Sequence, residues 1–331
     1  MRRLVLFAVV LLAAIGLTPL AAQQNPYLGV WNITPAGATT GPVYWLEVKE
    51  QNGQLTGMFL NAGGHALPLA SVKMENGELV FFRGNPPQQT EYRARMDKGT
   101  LVVHTITAPG RRGGDPTQPA PPAVSRPVTW IGVRPPAWPV ANANGRHTYG
   151  KPVALFDGTS LDAFSGQMAN RPLGWVIEDG VMSNAKPPAN NLVSKEKFTD
   201  FKVNVEYKLA AKSNSGIYLR GRYELQVLDD INDTTTEPFL AHMAIYGRTA
   251  PAVKASKASG EWQAMEAILV GNRVTVTLNG RRVHDNVAII GITGGALDAD
   301  ELAPGPLMIQ GDHEQVWVRK VVVTPITKAG R

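Results

Sequence analysis

Residues 214–230 read NSGIYLRGRYELQVLDD, and side chains able to do chemistry interrupt apolar alternation there. Ile217 and Leu219 fall on one face, Tyr218 and Arg220 on the other. Beyond Gly221, Tyr223, Leu225 and Val227 share a face, and Arg222, Glu224 and Gln226 share the opposite one. Period two is the repeat of a half-buried strand. An ordinary wet strand face carries Thr, Ser and Lys; this one carries guanidinium, carboxylate and amide groups, with Asp229 and Asp230 at its end. Such groups can pair with each other across strands on a solvated face. They can equally form the floor of a polar cleft, where a carboxylate exchanges protons and amides bind hydroxyls. The alternation alone leaves both readings open.

The elements that must position these groups are strands. The chain has 331 residues, with 44% apolar and 18% charged residues, 33 Gly and 25 Pro, a mix that favours turn-rich β structure over helix bundles. The net charge of +6 is mild and its basic residues are scattered, so nucleic-acid binding is not expected. Arg2 and Arg3 precede an apolar run over residues 4–17, and TPLAAQQ follows. This is the order of a signal peptide over residues 1–22, with cleavage near Ala22. An uncleaved anchor is the alternative, although the run falls short of the roughly 20 residues of a membrane span. There is no cysteine, so neither a lipoprotein anchor nor a disulfide is available. The expectation is a bacterial periplasmic or secreted protein with no stable membrane span after cleavage.

Residues 27–134 read as a small antiparallel β-barrel or meander, with runs such as VYWLEVK, ELVFFRG and TLVVHTIT separated by QNGQ, ENGE and DKGT turns. Trp31 and Trp130 near its ends make it faintly similar to lipocalin- or avidin-like barrels, and its role is open. His65 and His104 are isolated and read as structural. Inside this unit, residues 108–127 form a Pro/Gly-rich loop. Residues 135–152, rich in Pro, Asn and Gly, read as a linker. Residues 153–327 are nearly all strand-like, and Asn279-Gly280 between alternating runs marks a hairpin. The fold class expected is all-β, a jelly-roll sandwich preceded by the small barrel-like unit.

The second unit carries, in order, FDGTSLDAF, WVIEDGVM, VEYKL, NSGIYLRG, RYELQVLD, IYG, GEW, VTLNG and GPLMIQGDHEQVWVRKVVV. Over about residues 155–326 it resembles the 3-keto-disaccharide hydrolase domain family, whose fold is a concanavalin A-like or laminin-G-like jelly roll. The resemblance implies a concave polar face acting on sugars oxidised at carbon 3. That ketone acidifies the proton on carbon 2. A base removes it, and the resulting enediolate expels the glycosidic oxygen from carbon 1. Such a site needs a base of suitable pKa, and donors or a cation where the enolate oxygen forms.

Against that chemistry the catalytic candidates are Glu206, Arg220, Glu224 and His313. Glu206 meets Arg220 if the strand of 201–209 neighbours that of 214–219. The substrate-binding candidates are Asn214, Tyr218, Arg222, Gln226, Tyr246 and Gln310. No cofactor is certain. A divalent metal ion is possible, with Asp229 and Asp230 as weak candidates, although the spacing matches no EF-hand, HExxH or cysteine motif. The partner implied is an oxidised carbohydrate. A non-catalytic carbohydrate-binding protein on the same sandwich is the alternative, because fold alone does not choose. The sugar, the linkage and the oligomeric state are not legible.

Overall fold

The computed structural model describes residues 25–38, 41–84, 89–105, 129–184 and 188–330. The expected signal peptide and the Pro/Gly-rich loop of 108–127 lie outside the described residues. Among the described residues, the regular elements are strands apart from a single 3-10 turn, Pro238–Leu240. Among the described residues, no helix is long and apolar enough to cross a membrane.

The first sheet is antiparallel and begins with Gly29–Pro35, Tyr44–Gln51 and Gln54–Leu60 in neighbouring positions. It continues on the other side through Thr129–Val133, Thr100–Thr105, Thr90–Asp97, Glu78–Arg83 and Ser71–Glu75. Its turns take left-handed φ at both central residues, as at Asn52 and Gly53, which matches hairpin twist. The sheet curls until its ends meet. Leu69 N–H donates to Gly57 O at 2.9 Å, and Ala70 N–H donates to Phe82 O at 2.9 Å. A Cβ at Gly57 would stand 2.8 Å from Glu47 O, so this approach needs glycine. Trp31, Leu46, Phe59, Leu79, Phe81 and Leu101 fill the interior, with Phe81 stacked on Tyr92.

The second unit is a two-layer sandwich. One layer runs Val176–Glu178, Val181–Ser183, Val316–Lys328, Phe201–Leu209, Gln263–Val270, Arg273–Leu278 and Arg281–Ala288. The other runs Phe164–Gly166, Leu192–Phe198, Gly305–Ile309, Asn214–Leu219 and Tyr223–Leu228. Strict alternation puts Phe201, Val203, Val205, Tyr207 and Leu209 against Ile217, Leu219, Tyr223, Leu225 and Val227 between the layers. Each large side chain fully buried this way contributes about 1.5–3 kcal/mol. Asn279 and Gly280 make the expected hairpin, both at left-handed φ.

One expectation about neighbours fails. Phe201–Leu209 lies in the layer opposite Asn214–Leu219, between Gln263–Val270 and Val316–Lys328.

Residues 135–152 are packed along the sandwich. Trp138 lies under the Arg220 guanidinium, Ala143 is buried, and Thr148–Tyr149 pairs with the final long strand. The two units meet over residues 289–303. Val43, Trp45, Leu60, Ala66, Ile292 and Ala296 form an apolar cluster there. Asn32 Nδ2 donates to Glu301 Oε1 at 2.6 Å, and Tyr223 OH donates to Glu301 Oε2 at 2.8 Å. The Arg248 guanidinium sits 3.5 Å above the Trp45 ring.

Candidate active site

Directly opposed residues in an antiparallel pair share a face. Register therefore fixes what the outer face of the five-stranded layer presents. Tyr218 opposes Glu224 and Met308, and Val193 opposes Met308 and Ser165. One row across the sheet is thus Ser165, Val193, Met308, Tyr218 and Glu224. The next begins at Gly216, which opposes Gln226, and Gln310 donates its backbone N–H to Gly216 O at 2.9 Å. Beyond Gln310 stand Asn191 and Gln167, joined by a 2.7 Å bond from Asn191 Nδ2 to Gln167 Oε1. This second row is almost all amides, the planar hydrogen-bonding groups that bind hydroxyls.

Glu224 is the centre of this face. Tyr218 OH donates to its Oε2 at 2.8 Å, and Gln310 Nε2 donates to Tyr218 OH at 3.4 Å. The carboxylate leans across Gly216, where a Cβ would lie 2.5 Å from Glu224 Oε1. Glycine at 216 thus leaves the space the carboxyl group occupies. Burial pushes the Glu224 carboxyl up to about 8, against the lowering effects of the Tyr218 hydrogen bond and the nearby His313. The strand holding it is anchored by Thr293 Oγ1, which accepts the Glu224 N–H at 2.8 Å.

His313 and Asp312 stand at the rim, with Nδ1 and Oδ1 at 2.9 Å. The Asp312 hydrogen bond raises the His313 pKa, so the imidazole holds its proton more firmly. Burial raises the Asp312 carboxyl, but the His313 hydrogen bond and charge outweigh it and the net shift is downward. Asn191 Oδ1 accepts the N–H groups of Gly311 and Asp312 at 2.8 and 3.3 Å and so sets this loop. Tyr246 donates its N–H to Glu224 O at 3.0 Å, and its ring meets His65 edge-on at 6.3 Å. A loop of the barrel thereby reaches the rim.

Of the residues singled out from the sequence, Glu224, Tyr218, Gln226, Gln310, Asn214, Tyr246 and His313 come together. Asn214 stands at the end of the face, its N–H donating to Glu314 Oε2, and Gln226 Oε1 accepts the Val227 N–H.

Five others do not join them. Glu206 projects from the outer face of the opposite layer, where Arg319 and Lys320 pair with it. Arg220 is buried elsewhere, donating to Thr199 O and to Asp200 Oδ1. The expected meeting of Glu206 with Arg220 therefore does not occur. Arg222 donates from Nε to Asp298 Oδ1 and from Nη1 to Ala303 O, clamping the seam loop instead of facing the groove. The cause is the turn between the strands. Arg220 and Gly221 both adopt left-handed φ, so alternation counted from Tyr218 does not carry through them.

Asp229 and Asp230 are engaged with backbone, their carboxylates accepting from Lys212 N–H and His242 N–H. Among the described residues, no group of three His, Cys, Asp or Glu side chains is placed to hold a metal ion.

Sequence reasoning passed over Asn191, Gln167, Gly216 and the loop of 289–303. That loop has no strand alternation, but its three glycines and the run DADE were a signal of a tightly held segment.

The family profile described as 3-keto-alpha-glucoside-1,2-lyase-like domain matches residues 151–324. No curated protein matches the chain significantly. Among solved structures, one from Parabacteroides distasonis ATCC 8503, provisionally described as a glycosyl hydrolase, is 25% identical. The match covers 58% of this chain and 93% of that one, with a TM-score of 0.47. A second such structure from the same organism is 22% identical over 54% of this chain and 100% of that one, with a TM-score of 0.44. A carbohydrate binding module from Bacillus subtilis is 14% identical over 51% and 96% of the two chains, with a TM-score of 0.30.

Proposed function

Because the chain belongs to the 3-keto-alpha-glucoside-1,2-lyase-like domain family, we propose that it cleaves 3-keto-glycosides by elimination, with Glu224 as the base. The observation that carries this is a buried carboxyl at about 8, laid over Gly216 beside a row of amides. An ordinary carboxylate is a feeble base toward a carbon acid; one raised by burial takes the carbon 2 proton more readily.

Glu224 takes the proton on carbon 2, and the C–H electron pair moves into an enolate spanning carbons 2 and 3. The enolate collapses, the carbonyl at carbon 3 re-forms, a double bond forms between carbons 1 and 2, and the bond from carbon 1 to the glycosidic oxygen breaks. His313, whose hold on its proton Asp312 strengthens, gives that proton to the departing oxygen. Gln226, Gln310, Asn214 and Tyr246 bind the sugar hydroxyls. Water adds to carbon 1 in a later step, completing a net hydrolysis. A lectin would use the same amides and rings but has no use for a basic buried carboxyl.

The test is turnover of an aryl 3-keto-glucoside by purified protein, with deuterium incorporation at carbon 2 followed in heavy water. Wild type should release the phenol; Glu224→Gln should lose both release and exchange. His313→Ala should lose release more than exchange. Sugar binding without turnover or exchange would establish the lectin instead.

A further inference from the structure

The amide row does not end at Gln167. There the groove opens into a cavity of about 680 Å³ roofed by the barrel, whose loops supply Pro42, Val43 and Ala62. Met168 and Val193 form the sandwich side, and Leu297 from the seam loop closes it. A void of this volume is in the range that holds small ligands. It is joined to the candidate site through Gly295, which also lines it. A Cβ on Gly295 would be 2.6 Å from Tyr218 OH, the hydroxyl that donates to Glu224.

We infer that this cavity is the subsite for the leaving group, and that it takes an apolar, ring-sized aglycone instead of a second sugar. The inference rests on the elimination reading above. Sugars are held by planar polar side chains and aromatic platforms. Among the described lining residues there is no aromatic ring and no charged side chain. The polar side chains that line it are Ser165 and Gln167, and Gln167 Oε1 is already bonded to Asn191. Position agrees with this. With the sugar over Gly216 and Gln310, the cavity begins one to two strand spacings away, about 5–10 Å. That is within reach of a substituent on the glycosidic oxygen of a sugar so placed. The barrel is therefore part of the specificity apparatus, a role its packed interior does not suggest.

Gly63 lines the cavity, and a Cβ built there meets nothing within 4 Å. Its φ is not left-handed, so Gly63→Phe adds a ring at the cavity wall without backbone strain. The experiment compares kcat/KM for a phenyl and a methyl 3-keto-glucoside in wild type and Gly63→Phe, with thermal unfolding as the check on folding. Phenol leaves more readily than methanol in both proteins, so the change on substitution is what reads the cavity: Gly63→Phe should lower kcat/KM for the phenyl substrate by about tenfold or more while leaving the methyl substrate within about twofold. Equal effects on both substrates, or none on either, would overturn the subsite. If wild type turns over neither substrate, the elimination reading fails on its own account, and calorimetric binding of unoxidised phenyl glucoside decides the cavity. Weaker binding by Gly63→Phe than by wild type upholds the subsite; equal binding, or none by wild type, overturns it.

Discussion

Glu224→Gln should remove activity and yet stabilise the protein, by an amount that depends on pH. The Glu224 carboxyl is buried, and its pKa rises from 4.5 to about 8 on folding. A carboxyl whose folded pKa is raised makes its full contribution to stability below the unfolded value and loses it as pH rises toward the folded value. Between pH 4.5 and 7 the unfolded chain releases this proton and the folded chain keeps it. At 1.36 kcal/mol per unit, that interval of 2.5 units amounts to about 3 kcal/mol, approaching about 5 kcal/mol above pH 8. Glutamine has the same shape, still accepts from Tyr218, and has no proton to release. The variant should therefore match wild type at pH 4 and melt about 6–12 °C higher at pH 7. The assay is thermal unfolding of both proteins from pH 4 to 8.5, beside turnover of an aryl 3-keto-glucoside. A melting difference independent of pH, or a less stable variant at pH 7, would mean that the carboxylate is charged in the folded protein. Glu224 would then be no stronger a base than an ordinary carboxylate.

Gly216→Ala drives a methyl group to 2.5 Å from Glu224 Oε1; kcat should fall about 100-fold, read by steady-state kinetics, because a displaced base loses its line to carbon 2. Asp312→Asn removes the group that raises both His313 and Glu224, so both limbs of the pH–rate profile should move to lower pH. Arg220→Ala breaks a buried pair with Asp200 and should cost about 3 kcal/mol or more in unfolding measurements. Glu206→Gln, on the exposed outer face, should change stability by less than about 0.5 kcal/mol and leave turnover unchanged.

The strands and their faces were legible because alternation is a local property. It sorted Tyr218, Glu224 and Gln226 from Ile217, Leu225 and Val227 correctly. It failed where local rules stop. Arg220 and Arg222 belong to a turn with left-handed φ, and parity says nothing about where a turn side chain points. Glu206 was read in the wrong company because strand order is not written in a strand's own residues. The sandwich sends its successive strands Phe201–Leu209 and Asn214–Leu219 to different layers. Asn191 and Gln167 escaped notice for the same reason, since their importance lies in register with Gln310, more than 100 residues away. The barrel's contribution depends on how two packed units meet, which no pattern within either one encodes.

The bond from Asn32 to Glu301 joins residues 269 positions apart. It secures the loop that crosses Tyr218 and walls the cavity. The barrel precedes Glu301 in the chain, so this loop is secured only once both units have been made. Contacts of such long range form late in folding. The candidate site is thus a product of assembly: neither unit holds it alone, and it is complete only when the barrel has met the sandwich across that bond.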